Sequence, residues 1–208
     1  MSLSDYEKKV TEFLIRPENL PAALEVADHI LEVKRLLVLE FWRAVADRVR
    51  GSIVQFPAWV MRLDTDDKLF RGTGEPGITL QPKVSNSDPG FFAFKLGDGA
   101  NSGVFYGIFC DGRRSSELRS IAENLPEFRA VQEKIETFPT QGWGGWLIGR
   151  FLDELTNHKG LRENENIIRM SQGGALADRA SEVFIDLFQT NAAEIESINV
   201  ALATLAGI

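Results

Sequence analysis

The residues able to do chemistry in this 208-residue chain are few and scattered. Its single cysteine, Cys110, sits in the apolar run Val104-Phe105-Tyr106-Gly107-Ile108-Phe109-Cys110, which reads as a buried thiol. A catalytic thiolate needs an electropositive setting and a base, and the only imidazoles are His29 and His158. Neither has a second His, Cys or carboxylate at a spacing that builds a zinc site. No Ser lies in a Gly-x-Ser-x-Gly elbow. We therefore expect no catalytic residue set, no bound metal and no cofactor.

Three local patterns imitate known sites and fail on physical grounds. Gly72-Thr73-Gly74-Glu75-Pro76-Gly77 is glycine-rich, but a phosphate loop ends in Gly-Lys-Ser/Thr and opens a helix; here a proline and a strand pattern follow. Asp64, Asp66 and Glu75 match calcium-loop positions one, three and twelve. However, Lys68 would stand among the ligands, and Leu69 would occupy the position that needs glycine for the turn. Asp28, Glu32 and Lys34 spell the carboxylates and lysine of a Mg²⁺-dependent nuclease. That set works on a strand, where Glu and Lys two apart share a face; in a helix they diverge. Arg113, Arg114 and Arg119 form the one tight arginine cluster and read as a solvated loop and helix face. The formal net charge of −7 repels phosphate backbones and anionic lipid at long range, so nucleic acid is a disfavoured partner.

The elements that must position these residues follow from periodicity. Ser4 and Glu7 make a capping box for a helix over 5–15 that places Tyr6, Val10, Phe13 and Leu14 on one face and stops at Pro17. Asn19 and Pro21 open a long helix whose Leu24, Ala27, Leu31, Val38, Phe41 and Val45 recur at steps of three, four or seven, ending at Gly51 as a C′ residue. Residues 52–63 are rich in β-branched and aromatic types and read as an edge strand broken at Pro57. Strands follow at 78–83, 91–96 and 104–110, the last two joined by the loose loop Gly97–Gly103. Helices at 115–124 and 126–137 precede a short strand or aromatic plug at 143–149. A helical tail over 175–205 carries Leu176, Ala180, Val183, Phe184, Leu187, Phe188, Ile195, Ile198 and Leu202 on its buried side.

Helices, then strands, then helices predict an α+β fold: an antiparallel sheet of four or five strands packed by long N- and C-terminal helices, one domain over 1–208. The neighbours Phe91/Phe92 and Phe105/Tyr106 must face opposite sides of the sheet, so both faces need cover. No stretch reaches the ~20 apolar residues of a membrane helix, and Tyr6-Glu7-Lys8-Lys9 breaks any secretion signal. With no disulfide possible, a cytoplasmic location is expected and no membrane partner.

The run Leu36-Leu37-Val38-Leu39-Glu40-Phe41-Trp42-Arg43, then Trp59, Gly77-Ile78-Thr79-Leu80, Phe105-Tyr106-Gly107-Ile108 and Gly142-Trp143-Gly144-Gly145-Trp146, resembles the C-terminal, non-catalytic region of bacterial and phage proteins of the PD-(D/E)XK nuclease superfamily. The resemblance spans most of the chain and implies an accessory or specificity module, since the strand-borne Asp…Glu-x-Lys is missing.

Three functions stay open. The first is a non-enzymatic interaction module that binds a protein partner or a second copy through exposed Phe184, Phe188 and Ile195 of the tail. The second is a small-molecule binder with a pocket lined by Trp59, Phe94, Phe105 and Trp146. The third is a nuclease-related enzyme using Asp28, Glu32 and Lys34.

Overall fold

The computed structural model describes residues 4–64, 76–83, 92–99, 103–110, 115–134, 146–152, 161 and 164–205. The elements run α1 (Asp5–Leu14), α2 (Leu20–Ile53), β1 (Trp59–Asp64), β2 (Gly77–Pro82), β3 (Phe92–Gly99), β4 (Gly103–Cys110), α3 (Ser115–Ala122), α4 (Pro126–Lys134), β5 (Trp146–Phe151), α5 (Asn164–Ser171) and α6 (Ala175–Leu205). The five strands form one antiparallel sheet in chain order. The fold is the α+β arrangement expected from the order of patterns.

Register assigns each side chain to a face. Leu80 pairs with Phe94, and Phe94 with Ile108. Alternation then sets Phe92, Leu96 and Cys110 beside them, and all six are buried. The C-terminal half of α2, together with α6, covers this face. Phe188 of α6 is the hub of the contact. Its ring centroid lies 4.8 Å from that of Phe56, 5.1 Å from Trp59 and 5.2 Å from Phe94, within the range where edge-to-face pairs add to area burial. Lower on the same helix, Asn199 reads the backbone of the sheet. Its Oδ1 accepts from Phe92 N at 2.9 Å and its Nδ2 donates to Phe92 O at 3.0 Å, so a buried amide fixes where the tail sits along β3.

Phe105, Phe109 and Lys95 belong to the opposite face. Lys95 Nζ lies 6.0 Å and 5.6 Å from the centroids of Phe105 and Phe109, cation–π geometry. Phe105 is nonetheless 1% exposed, so the second face is covered at that point, as the adjacent aromatics require.

Several boundaries differ from the sequence reading. The long helix passes through Gly51 to Ile53, and β1 starts only at Trp59, so 52–58 is not strand. Ser52 Oγ donates to Arg48 O and Ile53 packs on the core. These contacts outweigh the ~1 kcal/mol that glycine costs a helix. Gly97, Asp98 and Gly99 continue β3 rather than forming a loop, pairing with Phe105, Val104 and Gly103. Gly97 is there for space: a Cβ would stand 3.1 Å from the Phe105 ring. Gly103, at φ 86°, occupies the left-handed region that favours glycine where β4 begins. The fifth strand is shifted to Trp146–Phe151, and α5 has no counterpart in the sequence reading.

Candidate functional site

Helix α2 has 34 residues and is about 50 Å long. Its buried residues are Val38, Leu39, Phe41, Trp42, Val45, Ala46 and Val49; none precedes Val38. The joint between α5 and α6 lies against residues 37–44, where Met170, Gly173, Leu176 and Ala177 face Leu37, Phe41 and Ala44. An ion pair between Arg48 and Asp178 ties the start of α6 to α2 beyond that point. Residues 20–36, about 26 Å of helix, therefore carry no buried side chain and lie beyond that joint.

Helix α1 extends this arm. Ser4 caps it as the capping box predicts: Ser4 N donates to Glu7 Oε2 at 2.7 Å and Glu7 N donates to Ser4 Oγ at 3.3 Å. The Ser4 backbone N–H first, and then the Ser4 hydroxyl, which donates to Glu7 Oε2 at 2.8 Å, hold the Glu7 carboxyl below its ordinary range. Asn19 stands at the N-cap of α2 but makes no capping bond; its Nδ2 donates instead to Phe13 O, at the elbow between the helices. None of the residues of α1 is buried. Tyr6, Val10, Phe13 and Leu14, which share one helical face, are all exposed.

The arm is apolar where it meets solvent. Seventeen large apolar side chains are exposed among the described residues, and twelve fall between Tyr6 and Leu36, with Leu24 at 57%, Val26 at 63% and Leu31 at 73%. Phe13, Leu14, Ala22, Ala23, Val26 and Ile30 line a groove of about 420 Å³ at the elbow. At 100° per residue, Leu20, Leu24, Ala27 and Leu31 lie on the same line as Val38, Val45 and Val49, which the body buries. The polar side carries Glu25, Asp28, His29, Glu32 and Arg35.

The residues expected to act are placed as follows. Phe184, Phe188 and Ile195 are 0%, 0% and 1% exposed. The tail lays its apolar stripe on the sheet, so these side chains are core, and the expectation of exposed tail contacts is corrected. Trp59 and Phe94 face the helices with ring centroids 5.4 Å apart. Phe105 lies on the other side of the sheet, so these three do not converge on one pocket. The backbone of Trp146 pairs with Phe109; its side chain lies outside the described residues.

Asp28 and Glu32 are exposed on α2. Glu32 takes Arg35 Nε at 2.8 Å and Nη2 at 2.6 Å, and the guanidinium holds its carboxyl below the usual range. Lys34 projects well over 100° away from it, so the three do not assemble as a metal triad. Asp64 ends β1 and bonds Arg62 at 2.8 Å. Asp66, Glu75, His158, Arg113 and Arg114 lie outside the described residues. Arg119 pairs with Glu123 at 3.0 Å, and Cys110 is buried in β4 without a disulfide.

The signal that finds the arm was present in the sequence: an apolar stripe running the whole of α2 while the sheet has room for only half of it. No family model, no curated protein and no solved structure matches the chain.

Proposed function

We propose that this chain is a non-enzymatic protein-interaction module whose working surface is the arm formed by α1 and residues 20–36 of α2. One observation carries the reading: the apolar stripe of α2 leaves the body at Val38 and continues uncovered to Leu20. Monomers seldom expose contiguous apolar surface beyond a few hundred Å² unless something docks there. Helix stability gives the same answer. A ten-residue helix such as α1 is marginal in water without packing, so a partner that covers its apolar side would hold it in place.

A protein suits the arm better than a lipid surface. Interfacial helices carry Lys and Arg on their polar side, whereas here that side presents Glu25, Asp28 and Glu32 on a chain of net charge −7. No helix among the described residues is long and apolar enough to cross a membrane. The resemblance to an accessory region of PD-(D/E)XK proteins is compatible with such a module.

The test is site-specific photo-cross-linking in the cells that make the protein, with a photoreactive phenylalanine at Leu24 or Leu31. Val54 and Val200, exposed on the body at 79% and 64%, serve as controls. Adducts to a protein, this chain included, are expected from the arm positions well above the controls. Equal yields at all four positions would sink the reading.

A further inference from the structure

Helix α1 and the arm of α2 carry apolar lines that match each other. We propose that α1 is a strap: in the free chain it swings about the elbow and closes on α2 as an antiparallel helical hairpin, and a partner that takes the face of α1 must first open it. The closure stands on α1 and α2 alone; only its consequence for a partner rests on the reading of the arm as the working surface.

The register comes from the spacing. Tyr6, Val10 and Phe13 recur at four and three residues along α1 and lie within about 60° of one another around the helix. On α2, Ala23, Val26 and Ile30 recur at three and four, and Val33 continues the line. Run in opposite directions, the two rhythms coincide. Phe13 meets Ala23, Val10 meets Val26 and Tyr6 meets Ile30, all in a single register. The large ring of Phe13 thus falls opposite the small Ala23, next to the elbow, where the two helices come nearest. Side chains lean toward the N-terminus of their own helix, away from the elbow on α1 and toward it on α2. That lean takes up the small axial offset between this register and the middle of the connection.

The structure shows the strap standing open. Tyr6, Val10 and Phe13 are 76%, 37% and 55% exposed, and Val26, Ile30 and Val33 are 63%, 45% and 48% exposed. Phe13 and Leu14 nevertheless face Ala23, Val26 and Ile30 across the groove of about 420 Å³. The two lines are already opposed, and the angle of the elbow separates them. Residues 15–19 join Leu14 to Leu20, a connection of the length that links antiparallel helices. No residue of α1 is buried, and so short a helix is marginal in water. Closing the angle gives its apolar line a surface in register with it. Leu20, Leu24 and Leu31 lie at least about 100° around α2 from the line of Val26 and Ile30, so they stay uncovered whether the strap is open or closed.

Hydrogen exchange on the dilute, purified chain tests the closure. The amides of Val10 to Leu14 are expected to exchange about tenfold or more slowly than in Val26→Asp, which sets a charge in the seam, while the amides of the body are unchanged. Equal rates in the two proteins would overturn the strap. Register is read by disulfide formation, with Cys110 buried in the sheet and out of reach. Under mild oxidation Tyr6→Cys, Ile30→Cys should close an internal disulfide at monomer mass, about tenfold or more faster than Tyr6→Cys, Leu24→Cys, whose second thiol lies off the line. Equal rates of closure would overturn the register. Neither measurement involves a partner. If both fail while photoreactive phenylalanine at Leu24 still gives adducts, the strap is lost and the interaction reading stands; if both succeed and no adducts form, the reverse holds.

Discussion

The two halves of α2 carry one apolar rhythm and meet opposite fates. Leu24 and Leu31 are 57% and 73% exposed; Val38 and Val45, seven and fourteen residues after Leu31, are both at 0%. The helix is continuous and one heptad line carries both halves, interrupted by Lys34 between them. The difference lies in what the rest of the chain brings alongside. Leu176, Ala177 and the sheet bury side chains of α2 from Val38 onward and none before it. A hydrophobic stripe therefore specifies a need for burial, while its partner, within the chain or outside it, is set by tertiary reach.

The comparison is broken most severely from the body side. Phe188 touches Phe56, Trp59 and Phe94 and is fully buried. Phe188→Ala leaves a ring-sized cavity at the junction of α6 and the sheet, and should cost about 3–5 kcal/mol, a large part of the 5–15 kcal/mol typical of a domain. Denaturant titration followed by tryptophan fluorescence reads it through Trp42 and Trp59, both of which are core. A loss below ~1 kcal/mol would mean that the tail does not pack as described.

A matched pair sharpens the comparison within one helix. Val38→Ala removes buried methyl groups and should destabilise by about 1–3 kcal/mol. Leu31→Ala, one heptad earlier on the same stripe, should change the stability of the dilute monomer by no more than ~0.5 kcal/mol and should instead weaken association. Equal losses at the two positions would show that the arm is covered by its own chain.

Much of the fold was legible because local rules and packing agreed. The Ser4–Glu7 capping box, the alternation across β2 to β4 and the apolar side of α6 each follow from neighbours in sequence. Where reading failed, a distant contact had overridden a local signal. Gly51 looked like a helix end, but Ile53 packs on the core and draws the helix past it. Gly97 and Gly99 looked like loop, yet Gly97 gives the Phe105 ring its place across the strand. Helix α5 is only eight residues long, and its Ile167 and Met170, which pack on the core, give too short a run to mark a helix in the sequence. The functional surface was misplaced for a related reason. Tail and arm both carry apolar stripes, and sequence alone does not say which of them the sheet has room to cover; Phe184, Phe188 and Ile195 took the sheet and left α1 and residues 20–36 outside.

The smallest expected effect concerns how firmly the tail is held at its edge, on the covered side of the comparison. Lys134 Nζ lies 2.7 Å from Glu194 Oε1 and links α4 to α6. This hydrogen bond, reinforced by a backbone N–H and the lysine charge, holds the Glu194 carboxyl below its ordinary range. Because the folded state favours the charged form, the pair contributes stability above the unfolded-state pKa of ~4.3 and loses it as pH falls through the lower folded-state value. Both side chains are partly solvated, so solvent screening limits the contribution at pH 7 to a few tenths of a kcal/mol. Glu194→Gln should therefore lower the unfolding midpoint slightly at neutral pH, and the gap to the parent protein should close below pH ~4 and shrink in concentrated salt. A gap that persists at low pH would assign the loss to packing of the α6 edge instead of to charge.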